Sequence, residues 1–194
     1  MRRIILKERK YKEDYSLRSF VTAQGKEKRE PVYQGVYFRF AEGTAEKSRV
    51  FRFSFLCAAL FAAFYFLYLS LNTPSSRCMY VLPVAACALA PLAYWLMGLY
   101  ALYRAPEKMT RLQKENGPGR ILRSATGCMM LLGIGCIGDL IFTLSAGQQQ
   151  WGQELPGFAL LCCCAIAAMG CFWRIRESYN RIITLGNEKG DTAP

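Results

Sequence analysis

Apolar and polar positions along this chain fall into long blocks, not into the short alternations of a soluble domain. Uncharged and mostly apolar residues run from Phe53 to Leu71, nineteen positions, and from Cys78 to Tyr103, twenty-six positions between Arg77 and Arg104. A third block runs from about Ala125 to Ala146 with a single charge at Asp139, and a fourth from Pro156 to Trp173, between Glu154 and Arg174. A helix needs ~20 apolar residues to cross ~30 Å of hydrocarbon, and each block reaches or approaches that length. Four of them within about 120 residues leave almost no amphipathic surface to face water. The pattern predicts an all-α membrane protein with four transmembrane helices, at about 53–71, 78–103, 125–146 and 156–173.

Charge gives the blocks a direction, because Lys and Arg near the ends of spans stay on the cytoplasmic side. Residues 1–52 carry fourteen Lys and Arg against seven acids, a net +7. The loop 104–124 and the tail 174–194 are also basic on balance, whereas 72–77 holds one basic residue and 147–154 none. Both termini and the middle loop are thus expected in the cytoplasm. Tyr80, Tyr100, Tyr103, Trp151 and Trp173 stand where interfacial aromatic anchors belong. The first fifty residues are too polar for a secretory signal. Nine cysteines lie mostly inside the blocks and none lies in the outer loops, which argues against a disulfide framework. Short outer loops and a large basic cytoplasmic surface suit the plasma membrane of a bacterium.

The N-terminal segment predicts a β-hairpin. Ser19 to Ala23 and Pro31 to Phe40 are rich in β-branched and aromatic residues, and the polar stretch Gln24 to Arg29 between them holds a glycine suited to a turn. A lone hairpin is marginal in water, so this one needs the lipid surface, the ends of the helices or a partner to rest on. Tyr33, Tyr37, Phe38 and Phe40 supply the contact. No nucleic-acid motif accompanies the basic charge, and anionic lipid head groups account for it more simply.

An internal repeat is visible at the block boundaries. Arg49-Val50-Phe51-Arg52 with Cys57 returns 71 positions later as Arg120-Ile121-Leu122-Arg123 with Cys128, and Arg104, Glu107 and Arg111 return 70 positions later as Arg174, Glu177 and Arg181. The pattern suggests a duplicated helical hairpin whose copies point the same way. Residues three and four apart share a helical face, so each Glu is expected between its two arginines, on helices that continue past the membrane. In the middle loop that extension is expected to end near Asn116, before Gly117-Pro118-Gly119.

One residue stands out chemically. Asp139 is the one charge well inside a block, and an intramembrane acid is a functional hypothesis by default. Gly135, Asp139 and Thr143 fall on one helical face with Gly138 beside them, a small polar stripe that turns inward. Counting depths from the outer ends places Asp139 level with Tyr65 and the run Cys162 to Cys164, where desolvation favours the protonated acid.

Catalytic readings meet absences. The chain has no histidine, no paired carboxylates inside the blocks, no Cys-x-x-Cys, no phosphate-binding loop and no nucleophile elbow, so no catalytic residue, metal site or cofactor is expected. Gly133, Gly135 and Gly138 spell GxGxxG inside a membrane block, where helix packing explains them. The first expectation is a non-catalytic accessory or regulatory subunit. Its basic cytoplasmic face, with Tyr33, Tyr37, Arg49, Arg52, Arg104, Arg111, Arg120 and Arg123, binds lipid, another membrane protein or a second copy of the chain. The alternative is a small proton- or cation-coupled transporter or channel component built on Asp139.

Overall fold

The computed structural model describes residues 14–21, 27–71, 73, 83, 86–146 and 151–185. Strands β1 (Tyr15–Val21), β2 (Glu27–Tyr33) and β3 (Tyr37–Arg39) precede helix α1 (Thr44–Ser70). Helices α2 (Leu89–Arg104), α3 (Arg111–Asn116), α4 (Pro118–Ala146) and α5 (Trp151–Asn180) follow, and strand β4 (Ile183–Leu185) comes last.

Among the described residues three segments are long and apolar enough to cross a membrane: Thr44–Ser70, Arg111–Ser145 and Glu154–Asn180. The second apolar block is described as the 16-residue α2, and most of its outer end, residues 78–82, 84 and 85, lies outside the described residues. At ~1.5 Å per residue the described part is roughly 24 Å long. Helix α1 shows why these are not soluble helices. Val50, Ser54, Cys57, Phe61, Tyr65 and Tyr68 form its buried stripe, while Phe55, Leu56, Phe66 and Leu67 are more than half exposed on the other side. A helix apolar all round belongs in a core or in lipid.

The long helices close into a ring in which α1 packs on α2 and α5, and α4 packs on α2 and α5. Phe61 sits inside it, its ring 6.1 Å from Trp95 and 6.0 Å from Tyr65, and its carbonyl accepts from the Cys164 thiol at 3.6 Å. Helices α2 and α4 come closest at Gly98, where a Cβ would lie 2.8 Å from Ile121 Cγ1. Five buried positions of α1 have buried counterparts 71 residues on in α4: Val50 with Ile121, Ser54 with Ala125, Cys57 with Cys128, Phe61 with Leu132 and Tyr68 with Asp139; buried Ala58 and Tyr65 correspond to half-buried Met129 and Cys136. Those of α2 and α5 correspond at 69: Leu92 with Leu161, Trp95 with Cys164, Leu99 with Ala168 and Leu102 with Cys171.

At one end of the ring the chain knits its three polar segments together. Strand β3 pairs antiparallel with β4, Phe38 opposite Thr184, and Phe38 and Met109 exchange two backbone hydrogen bonds of 2.8 Å. The start of α1, the end of α2, the start of α4 and the end of α5 therefore gather at this basic end. The expected hairpin is present, with shifted bounds: β1 pairs with β2 from Tyr15 opposite Tyr33 to Val21 opposite Glu27. Residues 37–40 do not prolong it, because β3 leaves for the C-terminal tail. Of the predicted turn stretch Gln24 to Arg29, residues 24–26 lie outside the described residues and Glu27 to Arg29 belong to β2; the anchor Tyr80 and the side chain of Trp151 also lie outside the described residues.

One expectation is overturned. Helix α2 does not continue past Arg104. Ala105 is extended, with φ −63° and ψ 136°, because the following Pro106 disfavours helical backbone before it. Glu107 consequently leaves the helical face and pairs with Arg39 at 2.9 Å. Chain resumes as the short α3, opened by a reciprocal capping box between Thr110 and Gln113 and closed by Gly117. Pro118 then starts α4, a position where its missing N–H costs nothing. Helix α5 behaves as expected and runs on, with Glu177 3.3 Å from Arg174 and 2.6 Å from Arg181.

Candidate functional site

Two regions carry chemistry, one at each end of the ring. At the basic end the residues predicted as a surface divide into two kinds. Tyr33 docks the hairpin: its hydroxyl donates to the Val36 carbonyl at 3.0 Å and accepts from the Arg111 backbone N–H at 3.1 Å, the first residue of α3. The Tyr15 and Tyr37 rings meet it edge-on, with centroids 5.2 and 5.0 Å away. Desolvation holds the Tyr33 hydroxyl above its ordinary pKa, with the Arg111 N–H working against that shift and the Asp14 charge adding to it. Beneath the sheet Phe40 is buried, and the Lys114 ammonium lies between two rings, 4.4 Å from Phe38 and 4.8 Å from Tyr179.

Several arginines serve the fold directly. The Arg123 guanidinium donates to the Gly119 and Glu115 carbonyls at 3.2 Å each, and Arg120 donates to Asn116 Oδ1 at 3.0 Å while stacking 4.6 Å from the Tyr94 ring. Arg104 stacks 4.6 Å from Tyr100, and Arg111 reaches Glu115 at 3.7 Å. Arg111, Arg120 and Arg123 thus all bond to Glu115 or Asn116, while Arg104 lies over Tyr100. Arg49 and Arg52 differ, because with Phe53, Leu56 and Arg174 they line a groove of about 390 Å³ between α1 and α5. Arg174 also borders a second groove of about 500 Å³ that includes Trp173 and Arg176. Arg49 pairs with Glu42 at 2.8 Å, and the Arg52 Nε donates to the Ser48 carbonyl at 3.4 Å.

At the opposite end Asp139 is completely buried, as its stripe implies. Gly135 is buried beside it, Gly138 is half-buried, and the Thr143 hydroxyl donates to the Asp139 carbonyl at 2.8 Å. Tyr65 is buried too, with Cys164 and Cys87 among its neighbours. Tyr68, one turn further along α1, lies within electrostatic reach of Asp139. Tyr68 also senses Glu154, which the structure places in the first turn of α5, fully buried, instead of in a connecting loop. Gly157, one turn along from Glu154, makes room for this arrangement: a Cβ there would lie 3.2 Å from Thr73 Cγ2 and 3.6 Å from Tyr68 Cε2.

Sequence reasoning missed Tyr68 and Glu154, though both carry a signal. Tyr68 stands 71 positions before Asp139, the repeat distance of the α1 and α4 starts. Glu154 falls on the stripe of Gly157, Leu161, Cys164, Ala168 and Cys171, spaced three and four apart. Among the described residues no group of three or more His, Cys, Asp or Glu could hold a metal ion. No protein-family model matches this chain, and neither a curated protein nor a solved structure matches it.

Proposed function

We propose that this is a four-pass plasma-membrane protein, built as a duplicated helical hairpin, that acts as a non-catalytic accessory or regulatory subunit through its basic cytoplasmic end. The observation that carries this reading is the joining of three distant segments, N-terminal strands, middle loop and C-terminal strand, into one folded surface through β3, β4 and Met109. Ordering a segment costs ~1–2 kcal/mol per residue in backbone entropy, which a mere solubilising tail does not need to spend. Topology agrees with it: α1 leaves this end, α2 returns to it, and the excess of Lys and Arg lies there. The ring places α1 against α2 and α5, and α4 against the same two helices, as a two-fold axis along the membrane normal requires for two parallel copies.

Native mass spectrometry of the protein extracted in mild detergent from its own cells tests the reading. A stoichiometric second protein, lost on Tyr33→Ala, is the expected result. A species with nothing attached, or a partner unaffected by changes at the basic end, would count against it.

A second reading is favoured by one observation, the burial of Glu154 and Asp139 around Tyr68. Intramembrane carboxylates mark proton and cation pathways, and a small coupled transporter or channel component would place them there. Proton flux into liposomes that vanishes in Asp139→Asn and Glu154→Gln would establish it, whereas equal flux with and without the protein would remove it.

A further inference from the structure

We propose that the groove between α1 and α5 at the basic end is a binding site for one acidic phospholipid, whose phosphate sits among Arg49, Arg52 and Arg174. This rests on the membrane orientation proposed above. It adds a defined site and a ligand class.

The groove is amphipathic in the sense a lipid requires. Three arginines, Arg49, Arg52 and Arg174, and two apolar residues, Phe53 and Leu56, line it. Phe53 opens the first uncharged block and Arg174 directly follows the last, so the groove lies where apolar chain gives way to basic chain on both helices. One turn further along α1 from Leu56, Leu60 is exposed too and continues this apolar surface. A free phosphate would meet the arginines and leave this apolar surface uncovered. A neutral lipid would cover the apolar surface and offer the three guanidiniums no net negative charge.

Existing partners do not compete strongly for the arginines. Arg49–Glu42 and Arg174–Glu177 have side chains one-third to one-half exposed, and surface pairs of this kind contribute little. Arginine is suited to exchange such a carboxylate for phosphate, since its planar donors fit either bidentately. Among the other basic residues at this end, Arg104, Arg120 and Arg123 are engaged with rings and carbonyls elsewhere. The proposal therefore separates three arginines from the general positive charge of this face.

The test uses the full chain in neutral detergent, offered equal amounts of phosphatidylglycerol and phosphatidylcholine with identical acyl chains, with bound lipid read by native mass spectrometry. One phosphatidylglycerol retained in preference to phosphatidylcholine is expected, and inorganic phosphate is expected not to displace it. Arg52→Ala and Arg174→Ala should each reduce the preference roughly fivefold, the effect of one basic residue near an anionic head group. Arg104→Ala, at the same end but away from the groove, should leave it unchanged and serves as the folded control. Equal retention of the two lipids would overturn the proposal. So would displacement by inorganic phosphate, or an Arg104→Ala effect as large as that of Arg52→Ala, which would mean general surface charge and not a site. A flawed topology would instead show in reporter fusions, which do not depend on lipid binding.

Discussion

The first and second helical hairpins share several buried positions and leave the ring differently. Phe61 in α1 corresponds to Leu132 in α4, and Leu102 in α2 to Cys171 in α5, all essentially inaccessible. Yet α5 runs on to Asn180 with Glu177 held between two arginines, while α2 stops at Arg104 and its Glu107 turns to Arg39. Pro106 marks the difference, since at the offset of 70 that relates Arg104 to Arg174 its counterpart is Arg176. A helix interior does not tolerate proline at the point where α5 continues. The lesson is that burial registers can agree between two hairpins while their ends differ: the second extends, and the first breaks where the N-terminal strands join it.

That comparison can be broken at several points. The largest effect is expected in the shared core, where Phe61→Ala should cost about 3–5 kcal/mol and Leu132→Ala about 2–5 kcal/mol. Unfolding in detergent measures both, and a large loss for only one would show that the copies do not share a core. Next comes the close approach peculiar to the first copy. Gly98→Ala brings a Cβ within 2.8 Å of Ile121 Cγ1 and 3.1 Å of its backbone nitrogen, and overpacking of this kind costs about 1–3 kcal/mol. The corresponding position of α5, Ala167, already carries a Cβ, so Ala167→Gly should cost only about 1 kcal/mol, mainly helix propensity.

A smaller change is expected for Pro106→Ala, which removes the break between α2 and α3. It frees Ala105 to stay helical and so strains the Phe38–Met109 bridge, with a cost of about 1 kcal/mol from the loop alone. Faster proteolysis within residues 34–40 at unchanged thermal stability of the bundle is the expected signature. The smallest effect belongs to the exposed pairs. Glu177→Gln should change stability by about 0–1 kcal/mol, because the pair is half exposed. A larger loss would mean that the helical extension of α5 depends on it.

Much of this architecture was legible in the sequence, for physical reasons that differ by residue. Long uncharged blocks report membrane helices because the bilayer fixes their length. Asp139 was legible as a buried acid because Gly135 and Thr143 share its face. The hairpin was legible from composition, but its bounds were not, since residues 37–39 have as much β character as residues 31–33 and only the distant tail decides their pairing. Residues 183–185 look like any short apolar stretch until β3 is beside them. Pro106 was present in the sequence and outweighs the charge pairing of Arg104, Glu107 and Arg111, because a proline constraint exceeds an i,i+4 ion pair of ~0.2–0.5 kcal/mol. Glu154 read as a loop residue because a charge at a block boundary usually is one.

The most direct test of the central claim places an alkaline phosphatase reporter, active only outside the cytoplasm, after Thr73, Lys108, Gly152 and Leu185 in separate fusions. Activity after Thr73 and Gly152, with none after Lys108 and Leu185, is the expected result for four crossings that gather the polar segments at one cytoplasmic end. Activity after Lys108 would contradict the account, because α2 would then not return the chain across the membrane and the middle loop could not meet the N-terminal strands.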